Sequence, residues 1–143
     1  MSTDTIAAIA TALSNSGISI IRISGKDSLD IISRIFKTKS KLEPNKIVYG
    51  KIYKDDDILD TVLVSYFKAP KSYTGEDICE INCHGGNEIT REILELVLEN
   101  GARLATPGEF SKRAFINGKM DLAQSEAVIN LINAKTKTES RVA

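Results

Sequence analysis

The sequence has few of the residues that build metal centres and acid–base sites. Its 143 residues contain one histidine and two cysteines. Cys79, Cys83 and His84 lie close together in the sequence, but no further histidine or cysteine exists to complete a zinc-type ligand set. A single histidine also offers little for acid–base catalysis, and neither Gly-x-Ser-x-Gly nor His-Glu-x-x-His occurs. These absences argue against a metal centre and against the hydrolases that those motifs mark.

Long apolar runs and an excess of one charge are also absent. No segment approaches the roughly 18 consecutive apolar residues that a membrane span needs, and residues 1–4 lack the basic start and apolar run of a signal peptide. Nineteen Lys and Arg residues balance nineteen Asp and Glu residues, which excludes a strongly basic coat for nucleic acid. We therefore expect a cytoplasmic protein with no membrane contact, and the length fits about one domain.

A nucleotide-binding phosphate loop is missing as well. Such a loop needs a glycine, four further residues, then Gly-Lys and a hydroxyl residue. Around Gly118 and Lys119, the sequence has Arg113 at the first glycine position and Met120 at the hydroxyl position. The chain is therefore not expected to bind a nucleotide by that route.

The sequence does contain the patterns typical of an α/β fold. Runs rich in β-branched and apolar residues predict strands at residues 5–11, 18–24, 47–53, 61–67 and 76–84. Apolar residues at helical spacing predict helices at about 26–37, from 88 to Gly101, at 107–117 and from 121 onward. We expect an α/β (α+β) fold with a mixed sheet of five to six strands and flanking helices. Cys79 and Cys83 would lie ~13 Å apart in their strand, beyond disulfide reach, and are predicted to be free thiols.

Three ionisable residues occupy unusual positions. Arg22 lies in an apolar strand of the central type, where a charged side chain is seldom buried without a partner. Glu80 shares one strand face with Asn82 and His84, whereas residues 79, 81 and 83 are expected to face the core. This polar face leads to a glycine pair and a helix N-terminus, which suits an anion or a polar ligand; a half-solvated strand is the alternative. Lys119 lies between two predicted helices, where it either reaches into a pocket or is solvated.

Several ordered segments together resemble one family. They are Asp4–Thr11, Ile20–Gly25, Ser72–Asp77, Glu80–Ile81 with His84–Gly86, Pro107–Phe115 and Asn117–Gln124. These segments resemble the N-terminal region of the bacterial tRNA-modification GTPases of the MnmE (TrmE) family. The resemblance extends over essentially the whole chain, and several motifs at the right separations make it more specific than any single short pattern.

The resemblance implies that residues 1–119 form a domain similar to the tetrahydrofolate-binding domains of one-carbon enzymes. Residues 120–143 would then be the first helix of a following helical domain in a longer protein. In the family, the N-terminal domain forms a homodimer and binds 5-formyltetrahydrofolate near the dimer interface. The full-length protein also binds GTP, with Mg²⁺ and K⁺, in a separate domain, and it works with an FAD-dependent partner of the MnmG (GidA) family.

The reaction implied for the full-length protein is modification of the wobble uridine of certain tRNAs to a 5-carboxymethylaminomethyl-type base. The chain itself is expected to be non-catalytic alone. The family's folate contacts fall on Arg22, Glu80 and Lys119 of this sequence. A pterin presents a 2-amino group and a ring N–H side by side, and the Glu80 carboxylate can accept both. Arg22 and Lys119 would supply positive charge for the formyl oxygen and the glutamate tail, and the resemblance does not assign which residue meets which group.

One segment departs from the family pattern and keeps alternatives open. Many members carry Pro-Pro-Gly-Arg-Gly-Gly, or its lysine form, where this chain has Ala12–Gly17 and keeps only the last glycine. A dimerisation domain that has lost folate binding is therefore one alternative. A stand-alone folate-dependent one-carbon transferase is another, although the sequence shows no credible nucleophile or base pair. Direct contact between the basic stretch 34–54 and tRNA is a third alternative.

Overall fold

The computed structural model describes residues 4–11, 17–119 and, between 121 and 134, residues 121, 123, 124, 126–131, 133 and 134. The strands are β1 (Ile6–Ile9), β2 (Ser19–Ser24), β3 (Phe36–Lys37), β4 (Ile47–Lys54), β5 (Asp57–Phe67), β6 (Ile78–Cys83) and β7 (Arg103–Leu104). The helices are α1 (Ser28–Ile35), α2 (Asn87–Glu99) and α3 (Glu109–Ile116). Residues 12–16, most of the segment that departs from the family pattern, lie outside the described residues.

The strands form one sheet in the order β3-β4-β5-β6-β2-β1-β7. Neighbouring strands are antiparallel except β1 and β7, which are parallel, so the sheet is mixed. The predicted α/β fold with flanking helices is confirmed. The sheet has seven strands because β3 and β7 contribute two residues each, too few to show the alternation by which a strand is predicted. Residues 36–37, predicted as the end of the first helix, form β3 instead.

Helices α1 and α2 cover one face of the sheet and form the main core with it. Ile31, Ile32 and Ile35 of α1 and Ile93, Leu96 and Val97 of α2 are buried against the inward-facing residues of β2, β5 and β6. Residues 79, 81 and 83 of β6 belong to this core, whereas Glu80 and Asn82 are only half-buried. The predicted division of β6 into a core face and a polar face is therefore confirmed.

The opposite face of the sheet is only partly covered. Helix α3 and the loop of residues 68–77 lie over one end of it, where Phe110 of α3 contacts Arg22 of β2. Farther along the same face, Ile18, Ile47 and Tyr49 are 56%, 67% and 62% exposed. We call this uncovered region the open face.

Beyond α3, the described residues from 123 to 134 are helical, as predicted for a helix from residue 121 onward. The division of the chain at residue 119 stays a prediction. Within the part of the chain that the structure describes, no helix combines the length and the apolar character that crossing a bilayer requires.

Both cysteines are free and buried, as predicted. Burial raises the pKa of Cys79 and of Cys83 to about 12, because a thiolate is poorly solvated in the core. We expect neither thiol to react with a disulfide reagent at pH 8 in the folded protein, and both to react in denaturant, as measured by thiolate release. Rapid reaction of one thiol under native conditions would contradict the burial of that residue.

Candidate ligand-binding site

Arg22 and Glu80 form an ion pair on the partly covered face of the sheet. The two residues are direct partners in the antiparallel register of β2 and β6, so their side chains project side by side. Arg22 Nε donates to Glu80 Oε2 over 2.8 Å, and the two side chains are 25% and 21% exposed. The structure thus brings together two of the three predicted site residues, and it supplies the partner that a charge within an apolar strand requires.

Two aromatic rings lie against the Arg22 guanidinium. Its Cζ atom is 5.2 Å from the ring centroid of Tyr73 and 5.3 Å from that of Phe110, within the range of cation–π attraction. Tyr73 belongs to the loop of residues 68–77 and Phe110 to α3. Sequence reasoning did not select either ring, although both lie in segments that carry the family resemblance.

A hydrogen bond fixes one of these rings. The Tyr73 hydroxyl lies 2.8 Å from the Oγ of Ser111, a buried residue on α3. Since Phe110 is the neighbouring residue on the same helix, this bond also ties the Tyr73 ring to the helix that carries Phe110.

Arg113 anchors the loop and α3 to the N-terminal segment. It is 6% exposed, and its Nη2 donates to Asp4 Oδ1 over 2.7 Å. Its Nη1 donates to the Asp4 carbonyl over 2.7 Å and to Glu76 over 3.2 Å. Ser24 of β2 donates to Glu76 over 2.8 Å and shares a 2.7 Å hydrogen bond with Thr74. These bonds hold the Tyr73 loop between the sheet and α3.

A second cluster of charges fixes the start of α3. Arg103 of β7 bonds Asp4 and donates from Nη2 to Glu109 Oε2 over 2.6 Å. The hydrogen bond from Arg103 lowers the pKa of Glu109, and its bonds to Glu109 and Asp4 raise the pKa of Arg103. Glu109 Oε1 also accepts from the backbone N–H of Thr106 over 2.9 Å. The helix begins at Glu109 rather than at residue 107, and Gly108 precedes it with a φ of 78°.

Lys119 lies just after α3 and is exposed. Its stem passes the Tyr73 loop, since a Cβ on Gly75 would lie 3.6 Å from Lys119 Cγ. The same Cβ would lie 2.9 Å from Asn117 Cβ, and Gly75 has a φ of 81°, so only glycine fits this close approach. Lys119 therefore lies beside the loop that carries Tyr73, but its ammonium makes no ion pair with Glu80 in the described structure.

The far end of the predicted polar strip is already occupied by a carboxylate of this chain. Asp60 Oδ2 accepts from the backbone N–H groups of His84 and Gly85, over 2.7 and 3.0 Å. His84 is exposed, with Nδ1 3.2 Å from the Thr61 carbonyl. These two amides are thus unavailable to an external anion. The described residues also contain no group of three or more His, Cys, Asp or Glu side chains placed to hold a metal ion.

Known proteins are similar to this chain in sequence. The family described as "GTP-binding protein TrmE N-terminus" matches residues 5–119. The chain is 53% identical over 143 residues to the tRNA modification GTPase MnmE of Lachnoclostridium phytofermentans, 55% over 141 residues to that of Alkaliphilus oremlandii, and 48% over 139 residues to that of Thermotoga maritima.

These alignments cover 96%, 94% and 97% of this chain, respectively, but only 31% of each relative. The chain therefore spans about a third of the length of the relatives it matches. The family match covers most of the chain and includes the Arg22–Glu80 pair, both aromatic rings and Lys119. The chain belongs to the TrmE N-terminus family, the N-terminal region of tRNA-modification GTPases.

Proposed function

We propose that this chain is the folate-binding and homodimerisation domain of a cytoplasmic tRNA-modification GTPase. The observation that carries the proposal is the Arg22–Glu80 ion pair, held on a partly open sheet face beside two aromatic rings. The ligand is 5-formyltetrahydrofolate. The full-length protein would act with an FAD-dependent partner of the MnmG family on the wobble uridine of tRNA, and GTP, Mg²⁺ and K⁺ would bind in another domain.

Glu80 suits the pterin end of the ligand. One of its carboxylate oxygens, Oε2, accepts from Arg22, while Oε1 accepts no hydrogen bond from any residue that the structure describes. A carboxylate has about four acceptor positions, so it can bond Arg22 and still receive the 2-amino group and ring N–H of a pterin. Such charge-assisted pairs are short and strong. Glu80 would therefore fix the orientation of the pteridine ring.

Arg22 and Lys119 supply the positive charge. Folate carries an anionic glutamate tail and, in this form, a formyl oxygen, and both accept hydrogen bonds from cations. Arg22 lies at the floor of the site on β2, while Lys119 lies beside the Tyr73 loop. The two cations are thus placed on different elements around the same region, which suits contact with two separate groups of one extended ligand.

Calorimetric titration of the protein with 5-formyltetrahydrofolate tests this proposal. Saturable binding with one site per chain is expected. A protein that dimerises but gives no binding heat at any ligand concentration would favour the alternative in which folate binding has been lost. A one-carbon transferase finds less support, because the site shows no nucleophile paired with a base among the described residues.

The open face is the surface we propose for homodimerisation. Ile18, Ile47 and Tyr49 project from it, and large exposed apolar side chains that cluster on one surface mark interaction sites. In the strand register, Ile47 lies opposite Ser65, and Ser65 lies opposite Glu80, so this patch continues directly from the ligand site. A second copy of the chain seated here would bring the folate site close to the interface.

The double substitution Ile47→Asp with Tyr49→Asp is expected to convert the dimer into a monomer. Two carboxylates would be buried in the interface without partners, which no dimer of ordinary stability tolerates. Light scattering at tens of micromolar would measure the mass. Arg91→Asp on the exposed side of α2 is the matched control and should remain dimeric. A monomeric unmodified protein, or a dimeric double variant, would contradict the proposed interface.

A further inference from the structure

We propose that Tyr73 and Phe110 form the surface on which the pteridine ring of the ligand stacks, and that the Arg22 guanidinium occupies this surface when no ligand is bound. The inference rests on the proposed folate-binding function. It adds Tyr73 and Phe110 as ligand-binding residues, and it adds a change of contacts by Arg22 when the ligand binds.

The geometry of the two rings suits this role. They come from different elements, yet both lie against one guanidinium, with Cζ 5.2 Å from the Tyr73 centroid and 5.3 Å from the Phe110 centroid. Tyr73 is 40% exposed and Phe110 is half-buried, so a ligand can reach both. The bond between the Tyr73 hydroxyl and Ser111 fixes the first ring to the helix that carries the second. The surface is thus both accessible and pre-formed.

The chemistry of Arg22 identifies the class of ligand. A guanidinium is a planar group with N–H donors side by side that pairs with carboxylates and stacks on aromatic faces. The amino-pyrimidinone edge of a pterin has the same arrangement, an amino group and a ring N–H on one carbon of a flat ring. In this structure the guanidinium bonds Glu80 and contacts both aromatic rings at once. Glu80 and the two aromatic rings hold the planar guanidinium in this structure, so they are equally suited to hold the planar edge of a pterin.

An exchange follows from this similarity. As the pteridine edge bonds Glu80 and its flat face covers Tyr73 and Phe110, the Arg22 guanidinium must leave the rings. It then turns to the acceptor groups of the ligand, the formyl oxygen or the carboxylate tail. Charge is conserved in this step, because Glu80 gains neutral donors from the pterin while Arg22 gains acceptors from the same molecule.

Titrations with the two halves of the ligand test the stacking surface. The probes are pterin, which carries only the ring, p-aminobenzoylglutamate, which carries only the tail, and 5-formyltetrahydrofolate itself. Loss of one stacked aromatic ring weakens binding of a flat base by about ten-fold or more. We expect Tyr73→Ala and Phe110→Ala each to weaken pterin and 5-formyltetrahydrofolate by about ten-fold, and to leave the affinity for p-aminobenzoylglutamate unchanged.

Two further variants serve as controls. Tyr73→Phe keeps the ring and loses only the hydroxyl, so its pterin affinity should stay within about three-fold of the unmodified protein. Tyr53→Ala removes a tyrosine that contacts Lys37 rather than Arg22, and should change nothing. Thermal unfolding of every variant confirms that it is folded at the temperature of the titration.

The exchange by Arg22 has its own readout in the unmodified protein. The Arg22 Nε–H resonance, assigned by its loss in Arg22→Lys, should shift on saturation with pterin, because the guanidinium loses its two aromatic neighbours. An unshifted resonance at saturation would overturn the exchange. Unchanged pterin affinity in both alanine variants, with affinity lost in Glu80→Ala, would overturn the stacking surface and leave the proposed function standing. Absence of all binding by the unmodified protein would instead overturn the proposed function itself.

Discussion

Glu80→Gln is expected to weaken binding of 5-formyltetrahydrofolate by about 100-fold. The glutamate accepts two adjacent hydrogen bonds from the pterin in the proposed complex, and each bond to a charged acceptor contributes about 1.5–3 kcal/mol. Glutamine retains one acceptor but places an N–H₂ group opposite the other ligand donor, so one of the two bonds is lost and a repulsive donor–donor contact takes its place. Since about 1.4 kcal/mol corresponds to a factor of ten in affinity, the combined loss is about two orders of magnitude. Isothermal titration calorimetry measures it directly.

A matched control separates this effect from a general change in charge. Glu92→Gln removes the same charge from the exposed side of α2, on the far side of the sheet, and should bind the ligand like the unmodified protein. Loss of the Glu80 carboxylate also leaves Arg22 without its ion-pair partner. That pair is partly exposed, so the free energy of unfolding should fall by no more than about 1 kcal/mol. Equal affinities in the Glu80 and Glu92 variants would exclude a direct pterin contact.

The Arg22–Glu80 site shows what the alternation of residues along a strand can predict and what it cannot. Period-two alternation placed Glu80 on the polar face of β6, and the apolar strand around Arg22 indicated that this residue needed a partner. The identity of that partner depends on which strands are neighbours and in what register, and the two residues are 58 positions apart in the sequence. Local patterns carry no such information, so the pairing of the two candidates followed only from the sheet.

The aromatic part of the site could not be predicted by the same means. Tyr73 lies in a loop without periodicity, and Phe110 lies on a short helix whose position depends on tertiary contacts. Their approach to Arg22 is fixed by the bonds of Arg113, Glu76 and Asp4, which join three distant parts of the chain. Lys119 is indicated both by its position between two helices and by its family motif, and the structure places its stem beside Gly75 of the Tyr73 loop. Its role as a ligand contact stays a prediction.

The largest effect on stability is expected for Arg113→Ala. Arg113 is buried, and its bonds to Asp4 and Glu76 tie the N-terminal segment and the Tyr73 loop to α3. Removal of one partner from a buried ion pair costs about 3–5 kcal/mol, because the other charge stays without compensation. Asp4 keeps its bond from Arg103, Glu76 keeps its bond from Ser24, and the two side chains are 39% and 22% exposed, so we expect a loss at the low end of this range, about 3 kcal/mol. Denaturation with urea, followed by circular dichroism, measures this difference.

Two control variants, Arg91→Ala and Arg113→Lys, show whether the loss of stability in Arg113→Ala comes from its bonds to Asp4 and Glu76. Arg91 is exposed on α2, so its removal should change the free energy of unfolding by no more than about 0.5 kcal/mol. Lysine at position 113 keeps the charge but lacks the fork that reaches Asp4 and Glu76 together, so it should recover only part of the stability. Arg113 bonds Glu76 of the loop that carries Tyr73, so loss of Arg113 leaves the Glu76 carboxylate with its bond from Ser24 and loosens this loop. Ligand affinity should therefore fall in Arg113→Ala even at temperatures where the variant is fully folded. A variant as stable as Arg91→Ala would show that the bonds from Arg113 to Asp4 and Glu76 contribute nothing to folding, and that other contacts hold α3 and the Tyr73 loop in place.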